Sequence, residues 1–205
     1  MQDAGQGHTP IWEQTLGHFG DSLARKPMPG CGAAASVTAA LGVALILKGL
    51  HLSQQHETSE TRRALLDEGE RLKEQLGPLA DKDIAAFEGL MAAFQMPHHD
   101  EHEKTARCSA IQQAAATAVD VPLQTARLCQ KALSLCIRAG GCSEQQFASD
   151  TRAGGELLAA ALRSVLLNVE ANIDSLGSEA EKRRTQEAHD ELKEQAALLV
   201  ARIAR

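Results

Sequence analysis

Apolar residues recur at spacings of three and four along almost the whole chain, and no stretch alternates apolar and polar positions between turn residues as a strand does. This pattern predicts an all-α fold. Thr9 is placed to cap a first helix opening at Pro10, with Ile11, Leu16, Phe19 and Leu23 on its inner side and an end before Lys26-Pro27-Met28-Pro29. A second helix starts around Gly30 to Gly32 and runs to about Leu52. It is apolar on nearly all sides, which makes it the buried centre of a helical bundle. From Ser59 a charged amphipathic helix carries Leu65, Leu66, Leu72 and Leu76 as far as an interruption at Gly77-Pro78. Beyond it, Ile84, Phe87, Met91 and Phe94 mark a further buried stripe.

Met96-Pro97 closes that element, and Asp100 with Glu103 forms a D-x-x-E capping box for a long helix. Pro122 is expected to kink this helix between Ile111 and Leu133, and Gly140-Gly141 to stop it, leaving irregular chain up to Ala148. Ser149 and Asp150 open another largely apolar helix reaching about Leu176. Ser178 with Glu181 is an S-x-x-E box for the last helix, in which Leu192, Leu198, Leu199 and Ile203 alternate with charge on the outside of the bundle. No internal repeat or low-complexity linker divides the chain, so residues 1–205 read as a single domain. Helices this apolar also suit a helix-to-helix interface between two copies, and a homodimer is expected.

Composition sharpens this picture. The chain is 43% hydrophobic but has only one Trp, four Phe and no Tyr, so its core is built from small and aliphatic side chains on closely packed helices. With 205 residues it can bury such a core without staples. A formal net charge of −6, with Lys and Arg interleaved among Asp and Glu, leaves no basic face for phosphates, and no nucleic-acid partner is expected. The five cysteines are odd in number and lack CxxC spacing, which fits reduced thiols and the cytoplasm. The first thirty residues lack the basic-then-apolar order of a signal peptide. Gly30 to Leu47 carries no charge over about 18 residues, the lower limit of a membrane span. It is rich in Ala and Gly, contains Ser36 and Thr38, and is followed by Lys48, so a core helix is expected and no membrane contact.

Several residues could carry chemistry. Gly30 and Gly32 would let backbone N–H groups approach a ligand at a helix N-terminus, or form a plain turn after Pro29. Cys31, within that turn, would have a lowered pKa if exposed and be inert if buried. Asn168 and Asn172 lie one turn apart on an apolar helix and must find partners, either a ligand or each other and the backbone. His98, His99 and His102 beside Asp100 and Glu101 resemble a metal cluster, but charge is expected where a helix begins, and no metal is expected.

Taken in order, these segments resemble a known family. Pro27-Met28-Pro29-Gly30-Cys31-Gly32-Ala33-Ala34 resembles the P-T-P-G-G-G-S-x-A turn that opens the central helix in formiminotetrahydrofolate cyclodeaminases and bacterial methenyltetrahydrofolate cyclohydrolases. Asp83-Ile84-Ala85-Ala86-Phe87 resembles their D-x-x-A-F. Met96-Pro97 with Glu103-Lys104, Arg107 and Ala110-Ile111-Gln112 resembles their L-P-K…E-K-x-x-R-x-x-A-I-Q. Val121-Pro122-Leu123, Ser149-Asp150 and Asn168-Val169-x-x-Asn172 complete a series that holds order and spacing from about residue 10 onward.

The resemblance implies a helical bundle, commonly homodimeric, acting on a one-carbon unit that bridges N5 and N10 of tetrahydrofolate. A tetrahydrofolate derivative would be its substrate, with no bound cofactor. Hydrolysing a methenyl bridge, or expelling ammonia from a formimino group, needs a proton acceptor near an amidinium-like carbon, and a carboxylate suits that cationic centre. On this basis Asp83 and Asp150 are the expected catalytic residues, and Gly30, Cys31, Gly32, Ser53, His56, Asn168 and Asn172 the expected substrate-binding ones. Without the resemblance, Asp83 reads as a surface acid in the first turn of a helix and Asp150 as an N-cap.

The chain also departs from the family pattern. Met28, Cys31 and Ala33 remove hydrogen-bonding capacity from the turn. Ser53-Gln54-Gln55-His56-Glu57 replaces a basic loop after the central helix, and Glu144 and Arg152 replace an Asn and a small apolar residue around Ser149-Asp150. These changes favour an alternative: a catalytically silent or repurposed binding partner on the same scaffold.

Overall fold

The computed structural model describes residues 9–203, and among these it contains helices and no strand. The α-helices are α1 (Leu16–Arg25), α2 (Cys31–His56), α3 (Glu60–Leu76), α4 (Leu79–Phe94), α5 (Glu101–Gly140), α6 (Ala148–Asn172) and α7 (Glu179–Ile203). Short 3-10 turns at Ile11–Glu13, Gln145–Phe147 and Ile173–Ser175 complete the path.

The apolar α2 lies at the centre, packed chiefly on α6 and flanked by α3, α4 and α5. By length and composition it could cross a membrane, but most of it is buried against the other helices. Its partnership with α6 is antiparallel: Gly32 meets Asn168 at one end and Gly49 meets Thr151 at the other. Between them, a Cβ on Gly154 would fall 2.5 Å from the Gly42 carbonyl oxygen, so the two backbones touch where side chains would hold them apart. Around this contact Ile46, Leu50, Leu133, Leu158 and Leu162 are fully buried, an aliphatic core of the kind the composition demands.

The capping boxes form as expected. The Glu103 N–H donates to Asp100 Oδ1 over 2.8 Å, and Glu103 Oε2 accepts from the His99 N–H over 2.7 Å. Ser178 Oγ accepts from the Glu181 N–H over 3.2 Å. The C-terminal end of α2 is closed by Arg62, which is 9% exposed. Its guanidinium donates to the carbonyls of Ser53 and Cys142 over 3.0 and 2.9 Å, and also to that of Glu57. The Ser53 carbonyl also accepts the Glu57 N–H that closes the helix, over 3.2 Å, and the guanidinium fork ties this end of α2 to the Cys142 carbonyl of the α5–α6 connection.

Other expectations need correction. Thr9 and Pro10 do not open a long helix: Ile11–Glu13 is a 3-10 turn, Gln14 is extended, and Thr15 caps α1 by accepting from the His18 N–H. Leu16 is therefore the first residue of α1, on the outside and 80% exposed. α2 passes Leu52 and ends at His56, so the segment Ser53 to His56 is helix and not loop. α6 begins at Ala148 and ends at Asn172, with Asp150 inside its first turn and no capping hydrogen bond from it. On α4 the core face runs through Leu79, Ala80, Asp83, Ile84, Ala86, Leu90 and Ala93. Taking Leu90 and Ala93 in place of Met91 and Phe94 rotates the stripe by one residue, and it leaves Phe87 and Phe94 exposed.

Candidate active site

Where the N-terminal end of α2 meets α4 and α6, a small cleft of about 120 Å³ is lined by Pro27, Met28, Gly30, Cys31, Gly32, Asp83, Ala86, Phe87, Ala118, Asn168 and Asn172. The chain reaches it through a cis peptide between Met28 and Pro29. Asp83 is the acidic group of this cleft, and it is 6% exposed. Its carboxylate accepts from the Ala33 N–H at the start of α2 and from Asn168 Nδ2 over 2.9 Å. Both bonds favour the charged form, but burial outweighs them and pushes the pKa up from an ordinary 3.8 to about 6. Such a group exchanges a proton near neutral pH, as general acid–base work requires.

Gly32 makes this approach possible. A Cβ there would lie 2.0 Å from Asp83 Oδ1 and 2.6 Å from Asn168 Nδ2, so any side chain would occupy the space the carboxylate holds. Asn172 supports the arrangement from one turn further along α6, donating to the Asn168 carbonyl over 2.9 Å. The two asparagines thus bond to each other and to the backbone, with Asn168 also reaching Asp83. Cys31 borders the same cleft and is exposed, yet its thiol pKa is raised, by desolvation first and by the neighbouring Asp83 charge second. This corrects the expected lowering: the nearby carboxylate and partial burial outweigh the helix N-terminus.

The remaining expected site residues lie at the other end of α2. Gly32 and Ser53 are separated by 21 positions of continuous helix, roughly 32 Å at 1.5 Å per residue. Ser53 is fully buried; its hydroxyl donates to the Gly49 carbonyl over 2.8 Å and accepts from the Glu144 N–H over 2.9 Å, leaving it structural. His56 pairs with Glu144 over 3.0 Å and sits beside the Phe147 ring. Asp150 pairs with Lys48 over 2.8 Å. Within one chain, Asp83 and Asp150 therefore share no cleft.

Phe87 is a cleft residue that sequence reasoning missed. Its spacing matches the buried stripe, and only the one-residue rotation of α4 reveals it. His98 and His99 stack with centroids 5.8 Å apart. Among the described residues no three His, Cys, Asp or Glu side chains converge to hold a metal ion.

Fold and cleft together define a class: an all-helical protein that holds one buried, titrating carboxylate against the N-terminal end of its core helix. The sequence model of the formiminotransferase-cyclodeaminase family matches residues 15–191, and the chain belongs to that family. It is 32% identical over 172 residues to the methenyltetrahydrofolate cyclohydrolase of Methylorubrum extorquens, covering 82% of this chain and 83% of that protein. It is 28% identical over 185 residues to the formimidoyltransferase-cyclodeaminase of Rattus norvegicus, covering 86% of this chain but only 34% of the rat protein. The crystal structure of formiminotetrahydrofolate cyclodeaminase from Thermotoga maritima superposes with a TM-score of 0.82 at 25% identity, over 94% of this chain and 95% of that one.

Proposed function

We propose that the protein is a cytoplasmic enzyme of folate one-carbon metabolism that hydrolyses the methenyl bridge of methenyltetrahydrofolate, with Asp83 as its general base and acid. The observation that carries this reading is Asp83 itself, a carboxylate 6% exposed with a pKa of about 6, facing a cleft. The bridge is a planar cation spread over N5, the one-carbon unit and N10. Asp83 attracts that cation and accepts a proton from the attacking water as its oxygen bonds to the bridge carbon. Collapse of the resulting tetrahedral adduct breaks one C–N bond, and the same carboxyl returns its proton to the departing nitrogen. Asn168 and the Ala33 N–H hold the carboxylate in place through both steps. Cyclodeamination of formiminotetrahydrofolate demands the same two roles, attack at an amidinium carbon and protonation of a leaving amine, and is the alternative activity of this site. The cyclohydrolase reading is preferred because identity to the cyclohydrolase relative, 32%, exceeds the 28% and 25% to the two cyclodeaminases.

The assembly that suits this reading is a homodimer. Ala34, Thr38, Leu41 and Leu45 recur by three and four on the solvent side of α2, and Leu41 is 45% exposed on the central helix of the fold. A two-fold contact of α2 with its copy around Leu41 would set the Asp83 end of one chain beside the Asp150 and His56 end of the other. It would also enlarge a cleft too small for a whole folate, since sites for such ligands span about 300–1,000 Å³. The five unpaired cysteines support a reducing compartment.

The test is a direct assay of the purified protein for loss of methenyltetrahydrofolate and for ammonia release from formiminotetrahydrofolate, against a no-enzyme control. Turnover of either compound well above the control is expected. A folded protein inactive on both would mean the scaffold serves as a silent partner.

A further inference from the structure

Phe87 stands on α4 one turn after Asp83, borders the same cleft and is 37% exposed. Residues four apart on a helix are neighbours on its surface, so ring and carboxylate flank one space. Packing does not require a ring there: Ala86, Leu90 and Ala93 take the core positions of this part of α4, and Phe87 faces outward. The rest of the cleft wall is aliphatic or polar, formed by Pro27, Met28, Ala118 and the two asparagines, so Phe87 is its one aromatic surface.

We infer that Phe87 is a specificity-determining residue, whose ring receives the flat cationic bridge opposite Asp83 and separates the bridged substrate from the ring-opened product. This rests on the hydrolytic reading proposed above. In the substrate the positive charge is delocalised over a planar N–C–N unit, which a phenyl face attracts through its quadrupole. Addition of water and cleavage of one C–N bond convert that unit to a neutral formamide and release one proton, ending the attraction. The pterin, the aryl group and the glutamate are common to substrate and product, so contacts with them cannot tell the two apart. An aromatic face beside the bridge can, and it favours release of product.

The experiment compares the wild-type chain with Phe87→Leu, which keeps apolar bulk, and Phe87→Tyr, which keeps the ring. For Phe87→Leu the KM for methenyltetrahydrofolate is expected to rise roughly three- to tenfold. Its kcat and its inhibition by 10-formyltetrahydrofolate should stay close to wild type, and Phe87→Tyr should restore the KM. An unchanged KM in Phe87→Leu, equal weakening of both compounds, or failure of Phe87→Tyr to rescue would overturn the assignment. Should the wild type turn over neither folate, the hydrolytic reading fails by itself, and Phe87 is judged by equilibrium binding. A preference for the methenyl over the formyl compound that Phe87→Leu abolishes sustains the inference, and its absence refutes it.

Discussion

Burial of Asp83 has a consequence that pH makes visible. The native carboxyl holds its proton up to about pH 6, whereas the unfolded chain releases it near 3.8. Between these values the native state binds more protons, so this group's contribution to stability falls as pH rises through that window. The two-unit difference is worth about 3 kcal/mol at most above pH 7. Asp83→Asn is therefore expected to raise the melting temperature at pH 7.5 by about 2–6 °C and to leave it little changed near pH 4, read by thermal unfolding at both values. Activity should show the opposite preference, rising through about pH 6 and levelling off as the base ionises. Gly32→Ala tests the geometry, because its Cβ would take the place of Asp83 Oδ1. A loss of about a hundredfold or more in kcat/KM is expected, with the helical signal in circular dichroism retained. Asp83 was legible in the sequence only through the family resemblance. By pattern it is an acid in the first half of a helix, and what makes it a site is a glycine 51 positions earlier, which no local spacing reveals.

The helices themselves were legible because the signals that place them are local. Asp100 with Glu103 and Ser178 with Glu181 cap the helices they precede, and Gly77-Pro78 and Gly140-Gly141 end the ones before them. Boundaries failed where a long-range contact decides. α2 runs on to His56, where Arg62 from the start of α3 and the Glu144 backbone, 91 positions from Ser53, meet its last turn, and the second contact leaves no local pattern. Phe87 and Phe94 fit the three-and-four rule as well as Leu90 and Ala93 do, and only packing against α5 chooses between the two faces. The same Arg62 yields a prediction for the element. Arg62→Met removes the donors that satisfy the end of α2 and is expected to cost about 2–4 kcal/mol in chemical denaturation. Arg62→Lys should recover little, because one ammonium cannot span carbonyls on three sides.

For the whole molecule, the separation that matters is between the two ends of α2. The Gly turn, Asp83 and Asn168 hold one end, while Ser53, His56 and Asp150 hold the other. The linear motif series groups them, since it carries no distance. A two-fold dimer about Leu41 would reunite the two groups across the interface. Leu41→Glu should accordingly convert a dimer to a particle of one 21.9 kDa chain in light scattering, and reduce turnover with it. A variant that remains dimeric would place the contact on another face. The role of Asp83 is tested most directly by the turnover of methenyltetrahydrofolate by Asp83→Asn at pH 7.5. A loss of about 10²–10⁴-fold is expected in a protein at least as stable as the wild type, and a folded variant with an unchanged rate would contradict that role.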